Sequence, residues 1–446
     1  MQTSNTYNNT YIIGISFISA LGGYLFGFDF AVIAGALPFL RVQFVLDPVW
    51  EGFLTGTLAL GCIAGCLVAG RIAESYGRRA GLMLAALIFA LSSVAIALAH
   101  SLAFFMAMRF MAGIGVGMAS MLCPMYIAEI SPAEVRGRNV AINQLTVVIG
   151  ILVTNLVNYF LAKEGAQSWR WMFGLGAVPS AIFLLGVLWL PESPRWLIKA
   201  GRTGEAEKVL QRLGAASFAA ATHAAISRSM EGGAVPFKAV FGKGVRSAVV
   251  VGILLAVFQQ LCGINVVFNY TSTIFESVGA NLDHQLMETV VIGLVNLVFT
   301  ILAMWQVDKL GRRPLMLVGS IGLSVLYIVL AFLLQNHAGA GYVSIFVMLA
   351  IGMYAMSLAP VTWVLIAEIF PNRIRGAASA VATICLWSAY FVLVFTFPVL
   401  ARALGTYGPF YMYAGICFLG FLFVKSRVKE TKGQTLEALE EQLIRH

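Results

Sequence analysis

Long runs of apolar residues alternate with short polar breaks along the whole chain. The apolar runs lie near 11–33, 52–72, 80–99, 102–126, 139–162, 171–190, 246–270, 286–306, 313–334, 342–366, 377–400 and 408–425. A helix of about 20 residues spans the roughly 30 Å of hydrocarbon in a bilayer, so each run reads as one crossing. The runs are too long and too evenly apolar for barrel strands, in which lipid-facing and lumen-facing residues alternate. The pattern therefore predicts an all-α membrane protein with twelve transmembrane helices embedded in a lipid bilayer.

Composition agrees, with 60% hydrophobic and 11% charged residues, against about a quarter charged in soluble domains. A net charge of +9 would suit a nucleic-acid partner, but its distribution points elsewhere. Of the 29 Lys and Arg, 24 fall in the breaks near 71–79, 127–138, 191–246, 307–313 and 367–376 and in the tail; the rest are Arg41, Arg109, Lys163, Arg170 and Arg402. Twelve crossings put those breaks on the side of both termini, which is the positive-inside signature. The expectation is a multi-pass protein of the cell (inner) membrane with both termini cytoplasmic and no nucleic-acid partner. The opening residues MQTSNTYNNT lack the basic start of a cleavable signal. All six cysteines fall in predicted spans. Cys62 and Cys66 share a helix face, but zinc needs about four ligands and no histidine is near. They read as packing residues, and neither a metal nor a cofactor is implied.

The chain also repeats itself. GRIAESYGRRAGLML (70–84) is echoed by VDKLGRRPLML (307–317), and YIAEISPAEVRGR (126–138) by LIAEIFPNRIRGA (365–377). Gly77 and Gly311 lie 234 residues apart, and Glu129 and Glu368 lie 239 apart. Two motifs with nearly one offset indicate a duplicated six-span unit, as in many transporters. The division expected is an N-terminal six-helix bundle over 1–190, a cytoplasmic linker with short helices over 191–245, a C-terminal bundle over 246–425 and a cytoplasmic tail over 426–446. The acids Glu74, Glu129 and Glu192 are placed to pair with Arg71, Arg78, Arg136 or Arg195, and Asp308 and Glu368 with Arg312 or Arg375. Such pairs would hold the cytoplasmic helix ends together in one state and release them in another.

GRIAESYGRR, PESPRWL (191–197), FQQLCGINVV (258–267), VDKLGRRP and the tail ETKGQTLEALE (430–440) closely resemble the sugar porter branch of the major facilitator superfamily. The resemblance covers essentially the whole chain. It is similar to bacterial xylose or hexose proton symporters and, more distantly, to animal glucose facilitators. It implies two pseudo-symmetric six-helix bundles, a central sugar site and alternating access by rocking, in a monomer whose substrates are a monosaccharide and protons.

Asp29 is the one acid deep in a predicted span, and Arg109 the one deep base. Charges at such depth usually face a cavity or each other. Arg109 lies about 12 Å down span 4 at 1.5 Å per residue, and Asp29 in the outer half of span 1, so the two can pair. The arginine favours the carboxylate and burial favours the neutral acid, so separating them would favour binding of a proton. No histidine lies well inside a span. A fixed structural ion pair is the competing reading, and the resemblance favours the proton switch.

A sugar needs amides, which both donate and accept hydrogen bonds, beside aromatic platforms. Gln144, Gln259, Gln260, Asn265 and Asn296, with Trp363, Trp387 and Phe26, match the sugar contacts of the resembled family. Gln260 and Asn265 sit about 140° apart on a regular helix, so both can face one cavity if the helix distorts at Gly263 or the cavity wraps it. Departures are Leu386 in place of an amide, Asn269-Tyr270 in place of a common Tyr-Tyr pair, and Ala359 in place of glycine. The reading is proton-coupled monosaccharide symport. Its alternatives are an uncoupled sugar facilitator and a cyclitol (inositol) symporter. A sugar sensor fits poorly with the short tail, and an enzyme with the absence of a nucleophile–base pair in the spans.

Overall fold

The computed structural model describes residues 7–132, 134–230, 240, 242, 245–370 and 374–430, excluding the side chains of 229, 230, 307, 308, 367, 368, 375 and 376. It is built from helices, and twelve helical segments are long and apolar enough to cross a membrane. The N-terminal half contains α1 (Asn9–Phe44), α2 (Pro48–Ser75), α3 (Arg78–Ala97), α4 (Leu102–Ile130), α5 (Arg136–Leu161), and α6 (Ser168–Gly174) continued by α7 (Ala177–Trp189). Three short helices follow: α8 (Pro194–Lys199), α9 (Thr203–Leu213) and α10 (Ala216–Met230). The C-terminal half contains α11 (Arg246–Leu261), α12 (Ile264–Asn269), α13 (Thr271–Glu276), α14 (Leu282–Leu310), α15 (Arg312–Gln335), α16 (Ala340–Met356), α17 (Leu358–Ile369), α18 (Arg375–Leu404) and α19 (Tyr407–Arg427). α1 begins and α19 finishes at the same end of the molecule, called here the terminal end. The short helices sit there too, where the amide of Asn8 donates to the Leu213 carbonyl at 2.8 Å.

Four apolar runs differ from the helices they became, each for a local reason. α1 continues to Phe44, past the run at 11–33, because residues 34–40 (AGALPFL) are still apolar, and Arg41 in its last turn pairs with Glu51 of α2. The run at 246–270 breaks after α11, where Gly263 takes φ 89°, a left-handed conformation open to glycine. The run at 342–366 breaks after Met356, whose carbonyl would bond to residue 360, but Pro360 has no N–H. Pro179 does the same for Leu175, between α6 and α7.

Without a hydrophobic force between helices in lipid, small residues that let backbones approach drive packing. A Cβ on Gly27 of α1 would strike the Val147 carbonyl of α5, and one on Gly61 of α2 would strike the Phe110 carbonyl of α4. The N-terminal bundle is closely packed for that reason. The halves meet through α2 against α18 and α5 against α14.

Candidate functional site

Near the middle of α1, Asp29 faces α4, and Arg109 Nη1 donates to its Oδ1 at 2.8 Å. Both residues are 1% exposed. The Arg109 guanidinium also lies 5.3 Å from the centroid of the Phe173 ring, and Nη2 reaches the Asp29 carbonyl at 3.5 Å. Asp29 Oδ2 and Arg109 Nε have no hydrogen-bond partner among the described residues. The pair is thus single-pronged, which leaves one carboxylate oxygen free to take a proton.

The C-terminal half holds amides where the N-terminal half holds charge. The break at Gly263 turns α12 so that Asn265 Nδ2 donates to Gln260 Oε1. Gln260 Nε2 donates to Gln259 Oε1 at 2.7 Å, and Gln259 Nε2 to the Tyr354 hydroxyl of α16 at 2.8 Å. These three amides are buried. The distortion at Gly263 therefore brings Gln260 and Asn265 together despite their five-residue spacing. Trp387 is buried on α18, its ring 5.6 Å from Phe26 of α1 in an edge-on contact across the halves. Gln144 is half-buried on α5, and Asn296 is buried on α14. Trp363 on α17 is 44% exposed. No hydrogen bond or ring contact ties Gln144, Asn296 or Trp363 to the amide chain among the described residues. Tyr354, which closes the amide chain, was missed in the sequence because a buried tyrosine in an apolar run looks like packing. Asn269 signalled itself only as a departure from the usual Tyr-Tyr pair.

At the terminal end, Arg78 grips Glu129 with two bonds of 2.8 Å. Ser193 adds a third to Glu129 at 2.5 Å. Two expected partnerships are corrected. Among the described residues Glu192 pairs with no arginine side chain; it accepts the amides of Arg78 and Arg79 at 2.9 and 3.2 Å. The positive end of the α3 dipole and its unpaired N–H groups hold the carboxylate there. Glu74 is exposed and reaches Lys199 at 3.5 Å. Arg71, Arg136 and Arg195 are exposed and form no ion pair among the described residues. Arg312 donates its amide to Glu430 at 3.0 Å, with Arg313 beside it at 3.0 Å. The side chains of Asp308, Glu368 and Arg375 lie outside the described residues.

The far end differs. There Arg41 holds Glu51 at 2.6 Å and reaches across to Glu276 at 2.9 Å and Thr273 at 2.5 Å on α13. Ser272 donates to the Ala34 carbonyl at 2.9 Å, and Asn155 to that of Thr289 at 2.7 Å. These hydrogen bonds join the halves at the end away from the termini. The sequence left Arg41 in a loop, so this tie was not expected.

A family model described as "Sugar (and other) transporter" matches residues 15–443. The chain belongs to that family. The D-xylose-proton symporter of Escherichia coli (strain K12) is 37% identical over 475 residues, covering 97% of this chain and 96% of the relative. The arabinose-proton symporter of Bacillus subtilis (strain 168) is 35% identical over 448 residues, covering 99% and 97%. An inward open structure of the xylose transporter XylE from E. coli superposes with a TM-score of 0.87 at 35% identity, covering 97% of this chain and 100% of that one. XylE bound to 6-bromo-6-deoxy-D-glucose superposes at 0.83 and 35% identity, covering 98% and 100%. The member described here is a multi-pass membrane transporter with the major facilitator fold, and it is not an enzyme.

Proposed function

We propose that this protein carries a monosaccharide, a pentose or hexose such as xylose or glucose, into the cell with a proton by alternating access. The observation that carries the reading is the buried Asp29–Arg109 pair, 2.8 Å long, in a chain of this family. Asp29 is the proton acceptor and Arg109 its modulator. Gln144, Gln259, Gln260, Asn265 and Asn296 hold sugar hydroxyls, and Trp363, Trp387 and Phe26 frame the ring. The terminal end lies in the cytoplasm of a cell-membrane protein, a reading that the basic loops support, and the protein acts as a monomer. On that topology the joined far end is extracellular, so the arrangement described is inward-facing, with Arg109 holding Asp29 ionised. In the outward-facing state the halves rock apart at the far end, Asp29 loosens from Arg109 and binds a proton, and sugar enters. Rocking back restores the pair and expels the proton inward.

The test is uptake of labelled sugars into proteoliposomes, with and without an inward proton gradient, for wild type and Asp29→Asn. Symport predicts accumulation above equilibrium in wild type only with the gradient, and equilibration or exchange alone in the variant. A wild type that equilibrates sugar and ignores the gradient would be a facilitator with a structural ion pair.

A further inference from the structure

The proton pair lies in the N-terminal half and the amide chain in the C-terminal half, so symport needs a physical link between them. Ring contact alone brings Phe268 of α12 to Phe30 of α1 at 5.9 Å, and Tyr390 joins the same neighbourhoods with hydrogen bonds as well. Tyr390 of α18 is 1% exposed. Its hydroxyl donates to Asn269 Oδ1 at 3.2 Å and accepts from Asn269 Nδ2 at 3.0 Å. Asn269 Nδ2 also donates to the Asn265 carbonyl at 2.6 Å, one helical turn back on α12. On its other side the Tyr390 ring lies 5.6 Å from Phe30 of α1, the residue after Asp29, and 5.7 Å from Trp387. The groups around Asp29 are Arg109 on α4, Cys62 on α2 and Tyr390 on α18.

We infer that Tyr390, held by Asn269, is the positioning residue that transmits sugar occupancy to the Asp29–Arg109 pair. This rests on the symport reading above. The amides bond one another: Gln260 Oε1 accepts from Asn265 and Gln259 Oε1 from Gln260. A sugar hydroxyl that takes the place of Asn265 on Gln260 Oε1 breaks that link, and α12 can then turn about Gly263, which takes φ 89°. Asn269 ends the same six-residue helix and moves with it, drawing the Tyr390 hydroxyl. The ring then shifts against Phe30, and α1 carries the displacement to the adjoining Asp29. Neither Tyr390 nor Asn269 is assigned a sugar contact. An alternative role is simple attachment of α12 to α18, and the test separates the two.

Tyr390→Phe keeps the ring against Phe30 and Trp387 and removes the hydroxyl. In proteoliposomes the expected result is sugar counterflow within about twofold of wild type and gradient-driven accumulation lower by about tenfold. The pH dependence of sugar affinity should flatten at the same time. Asn269→Ala should do the same, and the double variant should lose no more than either single one, because one bond is cut twice. Accumulation equal to wild type, or counterflow and accumulation falling together, would overturn the inference; the latter would mark Tyr390 as structural. If Tyr390→Phe does not fold, Asn269→Ala alone decides by the same readouts. Wild type failing to accumulate sugar would overturn the symport reading itself, a result distinct from any variant's behaviour.

Discussion

The two halves share repeated sequence motifs, yet in the middle of the membrane they are built differently. In the first half, α1 and α4 run unbroken past Asp29 and Arg109, and α4 passes through Pro124 without stopping. In the second, α11 breaks from α12 at Gly263 and α16 from α17 just before Pro360. The difference follows the chemistry each half holds. A buried ion pair must offset the cost of leaving water by holding its charges close, and continuous helices drawn together by glycines hold Asp29 and Arg109 at 2.8 Å. Amides that must exchange partners with an incoming sugar need backbone that can turn, and broken helices lining a cavity supply it.

The largest effect that tests this contrast comes from the charges. Arg109→Met strands a buried carboxylate and should cost about 3–5 kcal/mol of stability, read by denaturation in detergent. Asn in place of Asp29 in the same chain should recover much of that loss. Gln260→Ala should cost only about 1 kcal/mol, because Gln259 and Asn265 can find water in an opened cavity. Equal losses for Arg109→Met and Gln260→Ala would erase the distinction between a tightly paired half and a yielding one. Next comes the hinge. Gly263→Ala forces a side chain into φ 89° and against the Tyr413 ring. It should weaken sugar binding by roughly tenfold or more, given a strain of about 1–3 kcal/mol. Unchanged affinity in a titration calorimeter would mean that the break at Gly263 does not shape the site.

Much of this contrast was legible in the residues. Twelve apolar runs became twelve spans, because in lipid the length of an apolar run and the satisfaction of backbone bonds leave little choice but helix. Asp29 and Arg109 stood out because a charge in an apolar run needs a reason. What stayed hidden depends on three-dimensional neighbours. Arg41 was read as a loop residue, since its partners Glu51 and Glu276 meet it only in the fold. Glu192 was read as an arginine partner, since its true partners are backbone amides that no sequence pattern displays. Glu288 passed unremarked near a span end, yet it is buried against Ser344 at 2.7 Å.

The far end offers a finer test, since there the halves bear directly on each other. A Cβ on Gly52 would strike the carbonyl oxygen of Phe395 on α18. Gly52→Val should therefore hold the far end apart and shift the population toward the opposite opening. A thiol reagent should then label a cysteine placed at Thr273 about tenfold faster than in the parent, as for a ligand-free population shift of roughly 1.4 kcal/mol. Labelling that does not change would mean the closed far end tolerates the extra bulk, and that α2 and α18 separate without consequence.

The smallest effect lies where the halves remain alike. Glu192 caps the first turn of α3 and Glu430 the first turn of α15, 238 residues apart, each accepting two successive backbone amides. A carboxylate at a helix start gains about 0.3–1 kcal/mol from the dipole. Glu192→Gln and Glu430→Gln each keep an acceptor oxygen and drop the charge, so each should lose about that much stability, and by similar amounts. Matching losses would show that duplication preserved the terminal end while the membrane centre diverged. If one variant loses several times more than the other, its carboxylate does more than cap a helix, and the symmetry at the terminal end is one of sequence but not of function.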